Sequence, residues 1–360
     1  MKTQHPPVAG GPAQGPGGAV GMAGNDVLDV RNLTISFRTP NGMITAVNDV
    51  SFRVGRGETV ALVGESGSGK SVTSLGILRL TPPAPASVSS GQVYLRAPDG
   101  TVRDLLALPE REMQGLRGTA VSMVFQEPMT SFNPLHTIGA QIAEGIRVHR
   151  GLGKRAAFDR AAELLDMVGI PAARQRLLSY PHEMSGGMRQ RAMIAMALAC
   201  DPDLLIADEP TTALDVTIQA QILELLRDLQ QRTRMAMIFI THNLGVVAEI
   251  ADRVMVMYNG RVVERADVAP LFKAPRMPYT VGLLRSVPRL DLAGHRLGPL
   301  PAIPGNVPSP YSPPPGCSFE PRCEHSVAGR CDQRVPALDE IGGDHWVRCV
   351  RWDEINWSRA

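Results

Sequence analysis

Apolar and polar positions along the chain follow two alternating patterns, one suited to strands and one to helices. Leu28–Phe37 mostly alternate, with one slip at Arg31-Asn32, and Ile44–Val54 alternate more loosely after Asn41-Gly42. The two runs predict strands of an antiparallel β layer with one covered face. Thr59–Val63 is a short apolar run, and Val72–Leu80 carries helical spacing. Thr81–Ser90 reads as a Pro/Ser/Ala loop, Gly91–Leu95 as a short strand and Val121–Phe125 as another. Ile138–Leu178 reads mainly as helix, with a stop at Gly169-Ile170-Pro171, and a further helical run covers Arg189–Cys200. Leu204–Ala207 and Met235–Ile240 are continuous apolar runs suited to strands covered on both faces, and Ile218–Gln231 between them is an amphipathic helix. Arg253–Tyr258 and Arg261–Arg265 predict a hairpin through Asn259-Gly260.

Neither end follows these periods. Met1 to about Asn25 is rich in Gly, Pro and Ala and is expected to be a disordered leader, 1–25. After about Asp267 prolines break the pattern, which predicts a linker, 267–300, with a short helix at Tyr279–Ser286. The remainder, 301–360, holds Cys317, Cys323, Cys331 and Cys349. The 360 residues have room for one large domain, 26–266, and a smaller appendage.

Charge and composition exclude several roles. A net charge of +2 gives no reason to expect nucleic acid as a partner. Met193–Cys200 and Met235–Ile240 are far too short to cross a bilayer, and the N-terminus lacks a signal peptide's apolar core. The expectation is a cytosolic protein that meets a membrane only through a partner. In a reducing compartment clustered cysteines read as metal ligands sooner than as disulfides.

The candidate chemistry sits at strand ends. Gly64-Glu65-Ser66-Gly67-Ser68-Gly69-Lys70-Ser71 follows a strand, and Val72 continues the helix behind it. This is the context of a phosphate-binding loop. The glycines let successive N–H groups turn inward at an anion, Lys70 can reach the β- and γ-phosphates, and Ser71 can join the Mg²⁺ shell. The helix dipole adds roughly half a positive charge at the same place. Gln126 ends one strand and can offer a neutral carbonyl to Mg²⁺ or a water. Asp208 ends another, where a carboxylate can hold the metal shell. Glu209, next to it, could orient and deprotonate a water; two solvated acids are the alternative. Ser185-Gly186-Gly187 opens a helix and is either a second anion site or an ordinary cap. Leu214-Asp215 closes a tight segment, and His242 lies at the end of a buried strand, the edge where α/β sheets place their chemistry. Phe37 could stack on a purine ring or finish the edge of the core.

Taken in order, these residues resemble the ATP-binding subunit of an ABC transporter over about 27–265. Gly64–Ser71 match Walker A, Gln126 the Q-loop, Ser185-Gly186-Gly187 the signature, and Leu204–Glu209 Walker B with its catalytic Glu. Ala213-Leu214-Asp215 match the D-loop, His242 the switch histidine and Phe37 the adenine-stacking aromatic. Met184–Arg191, Leu204–Thr217, Pro278-Tyr279-Thr280 and Gly316–Cys323 narrow the resemblance to the dipeptide/oligopeptide/nickel importers. Two departures stand out. Met184 and Met188 replace Leu and Gln of the broad family, and Asn243 follows His242 where Asp is usual.

The resemblance implies an α/β fold of the P-loop type: a parallel sheet core, an antiparallel β layer, a helical subdomain over about 128–200, and a small C-terminal four-cysteine domain. It implies ATP hydrolysis coupled to import of di- or oligopeptides. Lys70 would sit on the phosphates, Ser71, Gln126 and Asp208 would hold Mg²⁺ and its waters, Glu209 would be the general base and His242 would contact the γ-phosphate. The Ser185–Gly187 segment would press on ATP held by a second ATPase subunit, a paralogue in this subfamily. The Gln126–Leu135 segment would drive two membrane-spanning permease subunits at the cytoplasmic face, with cargo delivered by an extracytoplasmic binding protein. In this subfamily the four tail cysteines ligate a [4Fe–4S] cluster; four thiolates suit structural Zn²⁺ equally on count, but the C-x₅-C-x₇-C-x₁₇-C spacing fits no common zinc pattern, and loose thiols are the third reading. Rival readings are an importer of nickel or another metal chelate, an exporter component, and a soluble ABC ATPase outside transport.

Overall fold

The computed structural model describes residues 21–97, 99–212, 214–287, 302–355 and 357. In chain order the strands are β1 (Asp26–Thr39), β2 (Gly42–Gly55), β3 (Thr59–Val63), β4 (Ser87–Arg96), β5 (Val102–Asp104), β6 (Val121–Val124), β7 (Leu204–Asp208), β8 (Ala236–Ile240), β9 (Arg253–Tyr258), β10 (Arg261–Asp267), β11 (Asp339–Glu340) and β12 (Trp346–Val347). The helices are α1 (Lys70–Ile77), α2 (Glu110–Leu116), α3 (Pro128–Ser131), α4 (Ile138–Arg150), α5 (Lys154–Met167), α6 (Ala173–Arg176), α7 (Gly186–Ala197), α8 (Val216–Thr233), α9 (Leu244–Ile250), α10 (Val268–Lys273) and α11 (Pro278–Arg285).

Two sheets form. An antiparallel layer runs β2-β1-β4-β5, and the main sheet runs β11-β12-β10-β9-β3-β8-β7-β6. In the main sheet β6, β7, β8, β3 and β9 are parallel, and β10 turns back antiparallel. Every residue of β3, β7 and β8 is buried, as their unbroken apolar runs require. Alternate residues serve different cores because side chains point to opposite faces. Leu204 and Ile206 face the antiparallel layer, with Val60, Leu62 and Ile35. Leu205 and Ala207 face α4, α5, α7 and α8. Ala61 and Val63 of β3 join a third cluster with Tyr258, Tyr279 and Phe319.

Several boundaries differ from the sequence expectation. The expected loop Thr81–Ser90 gives up its end to β4, since Ser87–Ser90 pair with β1 through backbone bonds that side-chain polarity does not forbid. The long helix expected over Ile138–Leu178 is divided. Gly151, at φ +66°, ends α4, and α5 starts after Gly153. The Asn259-Gly260 hairpin forms as expected, with both residues at positive φ (+47° and +77°) and Tyr258 facing Arg261.

The tail departs most. Rather than forming a separate four-cysteine domain, its strands lengthen the main sheet, with Val347 opposite Glu264 and Trp346 opposite Arg265. Phe319 and Val347 are buried in the cluster that also holds Val63 and Tyr258. A Pro- and Gly-rich tail with few large apolar side chains has little with which to close a core of its own, so it borrows one. Glu264, fully buried, fastens the junction. It accepts from the backbone N–H groups of Arg276 (2.6 Å) and Met277 (3.2 Å) and lies 2.7 Å from His345 Nε2. The expected leader falls almost wholly outside the described residues, as does 288–300 of the expected linker. Among the described residues no helix is long and apolar enough to cross a membrane.

Candidate functional site

The phosphate-type loop is fixed by contacts that only glycine allows. A Cβ on Gly64 (φ +150°) would lie 2.2 Å from the Met257 carbonyl oxygen, and one on Gly69 (φ +103°) 2.5 Å from that of Ala46. The β9–β10 turn supports the loop from behind, with the Gly260 N–H donating to the Ser68 carbonyl at 3.0 Å. Lys70 is buried and its Nζ folds back to donate to the carbonyls of Gly64 (2.8 Å) and Glu65 (2.9 Å). Burial pushes its ammonium below the ordinary lysine range, against the opposing pull of Glu209, Asp208 and Glu65. An anion in the loop would restore a counter-charge to this cation.

Ser71, one residue on, donates to Asp208 Oδ1 at 3.0 Å. Burial raises Asp208, and the Ser71 hydroxyl works against that rise. A hydroxyl, a buried carboxylate and the free carbonyl of Gln126 form a set of hard oxygen donors, which fits Mg²⁺. Ser66 and Gly67 (φ +77°) form the exposed tip of the loop, and Val72 is half-buried against the core.

Glu209 gathers the remaining strand-end residues. Its backbone sits at φ +47°, and its N–H donates to the Ile240 carbonyl of the neighbouring strand at 3.0 Å. Its carboxylate accepts from Gln126 Nε2 (3.0 Å) and the Thr212 hydroxyl (2.8 Å), and lies 3.1 Å from His242 Nδ1. Burial pushes the carboxyl up, but the hydrogen bonds of His242 and Thr212, with the His242 and Lys70 charges, outweigh it and leave it below the usual range. Thr212 was not singled out in the sequence, where it is one Thr in a Pro-Thr-Thr run. The side chain of Asn243 hydrogen-bonds into the helix that follows. It caps α9, accepting from Gly245 (3.0 Å) and Val246 (3.4 Å), a task Asp performs equally well.

Three other groups of expected residues lie apart from this centre. Ser185 is exposed and caps α7, accepting from the Met188 N–H at 3.3 Å, while Gly186 and Gly187 face Leu214 and Ile218 of the following segment. Asp215 caps α8 through the Ile218 N–H at 3.0 Å; Ala213 lies outside the described residues. Phe37 is half-buried against the antiparallel core.

The four tail cysteines are brought together. Cys317, Cys323, Cys331 and Cys349 line one small, mostly apolar cavity with Phe319 and Ile355. Burial and the neighbouring thiols push Cys323 up to about 11 and Cys349 up to about 12, and burial raises Cys317. Among the described residues, however, no group of His, Cys, Asp or Glu is gathered tightly enough to hold a metal ion. That supports neither the expected [4Fe–4S] cluster nor the Zn²⁺ alternative.

Sequence reasoning missed the contacts behind Glu65. The Tyr279 hydroxyl accepts from the Glu65 N–H at 2.8 Å, and Arg322 grips the Glu65 carboxylate with both terminal nitrogens, at 2.7 and 3.0 Å. Both residues were visible only as parts of the tail patterns Pro278-Tyr279-Thr280 and Pro321-Arg322-Cys323.

Comparison with known proteins gives a consistent result. The sequence profile described as "ABC transporter" matches residues 47–212, and "Oligopeptide/dipeptide transporter, C-terminal region" matches 263–331. The dipeptide transport ATP-binding protein DppD of Bacillus subtilis is 50% identical over 328 residues, 91% of this chain and 95% of that one. The oligopeptide transport ATP-binding protein OppD of the same organism is 49% identical over 322 residues, 89% and 88%. Among solved structures, the ATP-binding cassette MJ0796, described as dimeric, post-hydrolysis and bound to ADP and Pi, superposes with a TM-score of 0.59 at 28% identity. The match covers 67% of this chain and 98% of that one.

Proposed function

The chain belongs to the ABC transporter family and, within it, to the oligopeptide/dipeptide transport ATP-binding proteins, and from that premise we propose how its residues drive import. The protein is an ATPase subunit of a peptide importer. The observation that carries the assignment of roles is the convergence on Glu209: Gln126, Thr212 and His242 hold one carboxylate at the end of β7, next to the Ser71–Asp208 pair.

Phosphoryl transfer to water needs placement and charge neutralisation more than covalent chemistry. Lys70 releases the loop carbonyls and turns to the phosphates, while the N–H groups of Gly64–Ser71 surround them. Ser71, Asp208 and Gln126 would hold Mg²⁺, which when bound offsets phosphate charge. Glu209 takes the proton from the attacking water, and His242 steadies the γ-phosphate. Phe37 and Val72 flank the base and ribose side.

The signature segment serves a second subunit. Ser185 and Gly186 are exposed, and their contacts lie with α7 and the segment before α8 rather than with the loop. In our reading the Ser185–Gly187 helix start completes the site of a partner ATPase, a paralogue; the description of MJ0796 as dimeric is in keeping with a second subunit. Phe125, Met129 and Leu135 stand exposed around the Gln126 loop, an apolar edge suited to the permease subunits. Those two subunits, at the cytoplasmic face, receive cargo from an extracytoplasmic binding protein. For the tail we propose that Cys317, Cys323, Cys331 and Cys349 hold a [4Fe–4S] cluster that knits the segment together.

The deciding experiment reconstitutes the chain with its permease subunits and binding protein in vesicles and measures ATP hydrolysis against candidate solutes. Di- or oligopeptides should stimulate turnover and accumulate inside. Stimulation by nickel chelates with no response to peptides would replace the peptide reading with the metal-importer one.

A further inference from the structure

Glu65 is the only acid in Gly64–Ser71, and it is held at all three of its polar groups. Its carbonyl accepts from Lys70 Nζ at 2.9 Å, its N–H donates to the Tyr279 hydroxyl at 2.8 Å, and its carboxylate takes the Arg322 fork. Arg322 itself is almost fully buried and has no spare donor. Nη1 also meets the Tyr258 hydroxyl (3.3 Å), Nη2 the Ile303 carbonyl (3.3 Å) and Nε the Pro304 carbonyl (2.9 Å). A planar guanidinium satisfied at every N–H is pre-organised, and such a bidentate pair fixes geometry as well as charge. Gly64, Glu65 and His242 also share a cavity of about 330 Å³ with Leu283, Ser286 and Ile303, so the C-terminal segment walls the loop on that side. Arg322 immediately precedes Cys323, whose thiol lines the four-cysteine cavity.

We propose that Arg322 is a positioning residue for the phosphate loop, supplied by the C-terminal tail, and that through it the four-cysteine segment sets the affinity for ATP. The fork on Glu65 does two things. It anchors the start of the loop, and it cancels the single negative charge that the loop would otherwise present beside three phosphates. Removing the guanidinium leaves that carboxylate uncompensated, and the repulsion falls on nucleotide binding before it falls on chemistry.

The inference rests on Gly64–Ser71 being the ATP loop, and the test separates the two. On the full chain, ATP affinity is titrated with a fluorescent ATP analogue, and KM and kcat are taken in the assembled importer. Arg322→Gln should weaken binding by about tenfold, the cost expected when one partner of a half-buried, bidentate charge pair is lost, with KM moving more than kcat. Adding Glu65→Gln to it should recover most of the affinity, because the bare carboxylate is gone; Arg322→Lys should recover only part. A purely structural loss of tail docking is not repaired by a change at Glu65. Affinity within twofold of the parent in Arg322→Gln, or a double variant as weak as the single, overturns the proposal. If Lys70→Ala binds ATP as well as the parent, the loop assignment itself fails and the inference goes with it.

Discussion

Glu209 Oε1 lies 3.1 Å from His242 Nδ1, joining the ends of two adjacent parallel strands from residues 33 apart in sequence. The pairing fixes the direction of the carboxylate before any nucleotide arrives. Strained backbone at Glu209, φ +47°, is tolerated because its N–H is bonded to the Ile240 carbonyl and its side chain is held from three sides.

Replacing Glu209 with Gln keeps the shape of this network and removes the base. ATP binding should stay within about twofold, while steady-state hydrolysis falls by about 10²–10⁴, the usual contribution of a positioned general base. Single-turnover hydrolysis and nucleotide binding, measured side by side, check the split. Unreduced turnover would remove Glu209 from its role.

The pH profile reports the same carboxylate. A group whose folded pKa is depressed stays charged as pH falls through its ordinary range, and loses its charge only when pH passes the lowered value. Hydrolysis by the parent should therefore persist toward acid pH further than an ordinary glutamate base permits. Thr212→Val deletes one hydrogen bond that favours the charged form, so the acid limb of kcat/KM should move to higher pH with the neutral plateau kept. An acid limb that does not move would mean that another group controls it.

The thiols make a spectroscopic prediction. Anaerobically purified chain should be brown and contain about four irons per chain, as a [4Fe–4S] group requires. Cys323→Ser should lose most of that iron. Stoichiometric zinc without iron, established by elemental analysis, would sink the cluster reading.

Glu264 provides a test of stability. It is fully buried and takes two backbone N–H groups and His345. Glu264→Ala leaves all three unpartnered in the interior, which should cost about 3 kcal/mol. Urea unfolding of the full chain, followed by tryptophan fluorescence, would register this, since Trp346 lies on the strand next to His345. Loss of less than ~0.5 kcal/mol would mean that the tail is docked by its apolar contacts alone.

Local pattern determined much of this protein. The phosphate loop, the acidic end of β7, the helix start at Ser185 and the Asn259-Gly260 hairpin are contiguous, and each carries its structural reason within a few residues. Glycine at a forbidden φ, an apolar run before a carboxylate and two positive-φ residues between strands can all be read without a fold. Tertiary structure decided the rest. Gln126 and Glu209 are 83 residues apart and Glu65 and Arg322 are 257 apart, and no local period marks either pair. The tail's choice to lengthen the main sheet rest on a core it shares with Val63 and Tyr258, because its own apolar residues are too few to close one. Spacing along the chain says what a segment can form; only the packed sheet brings the tail's arginine to the loop's single acid.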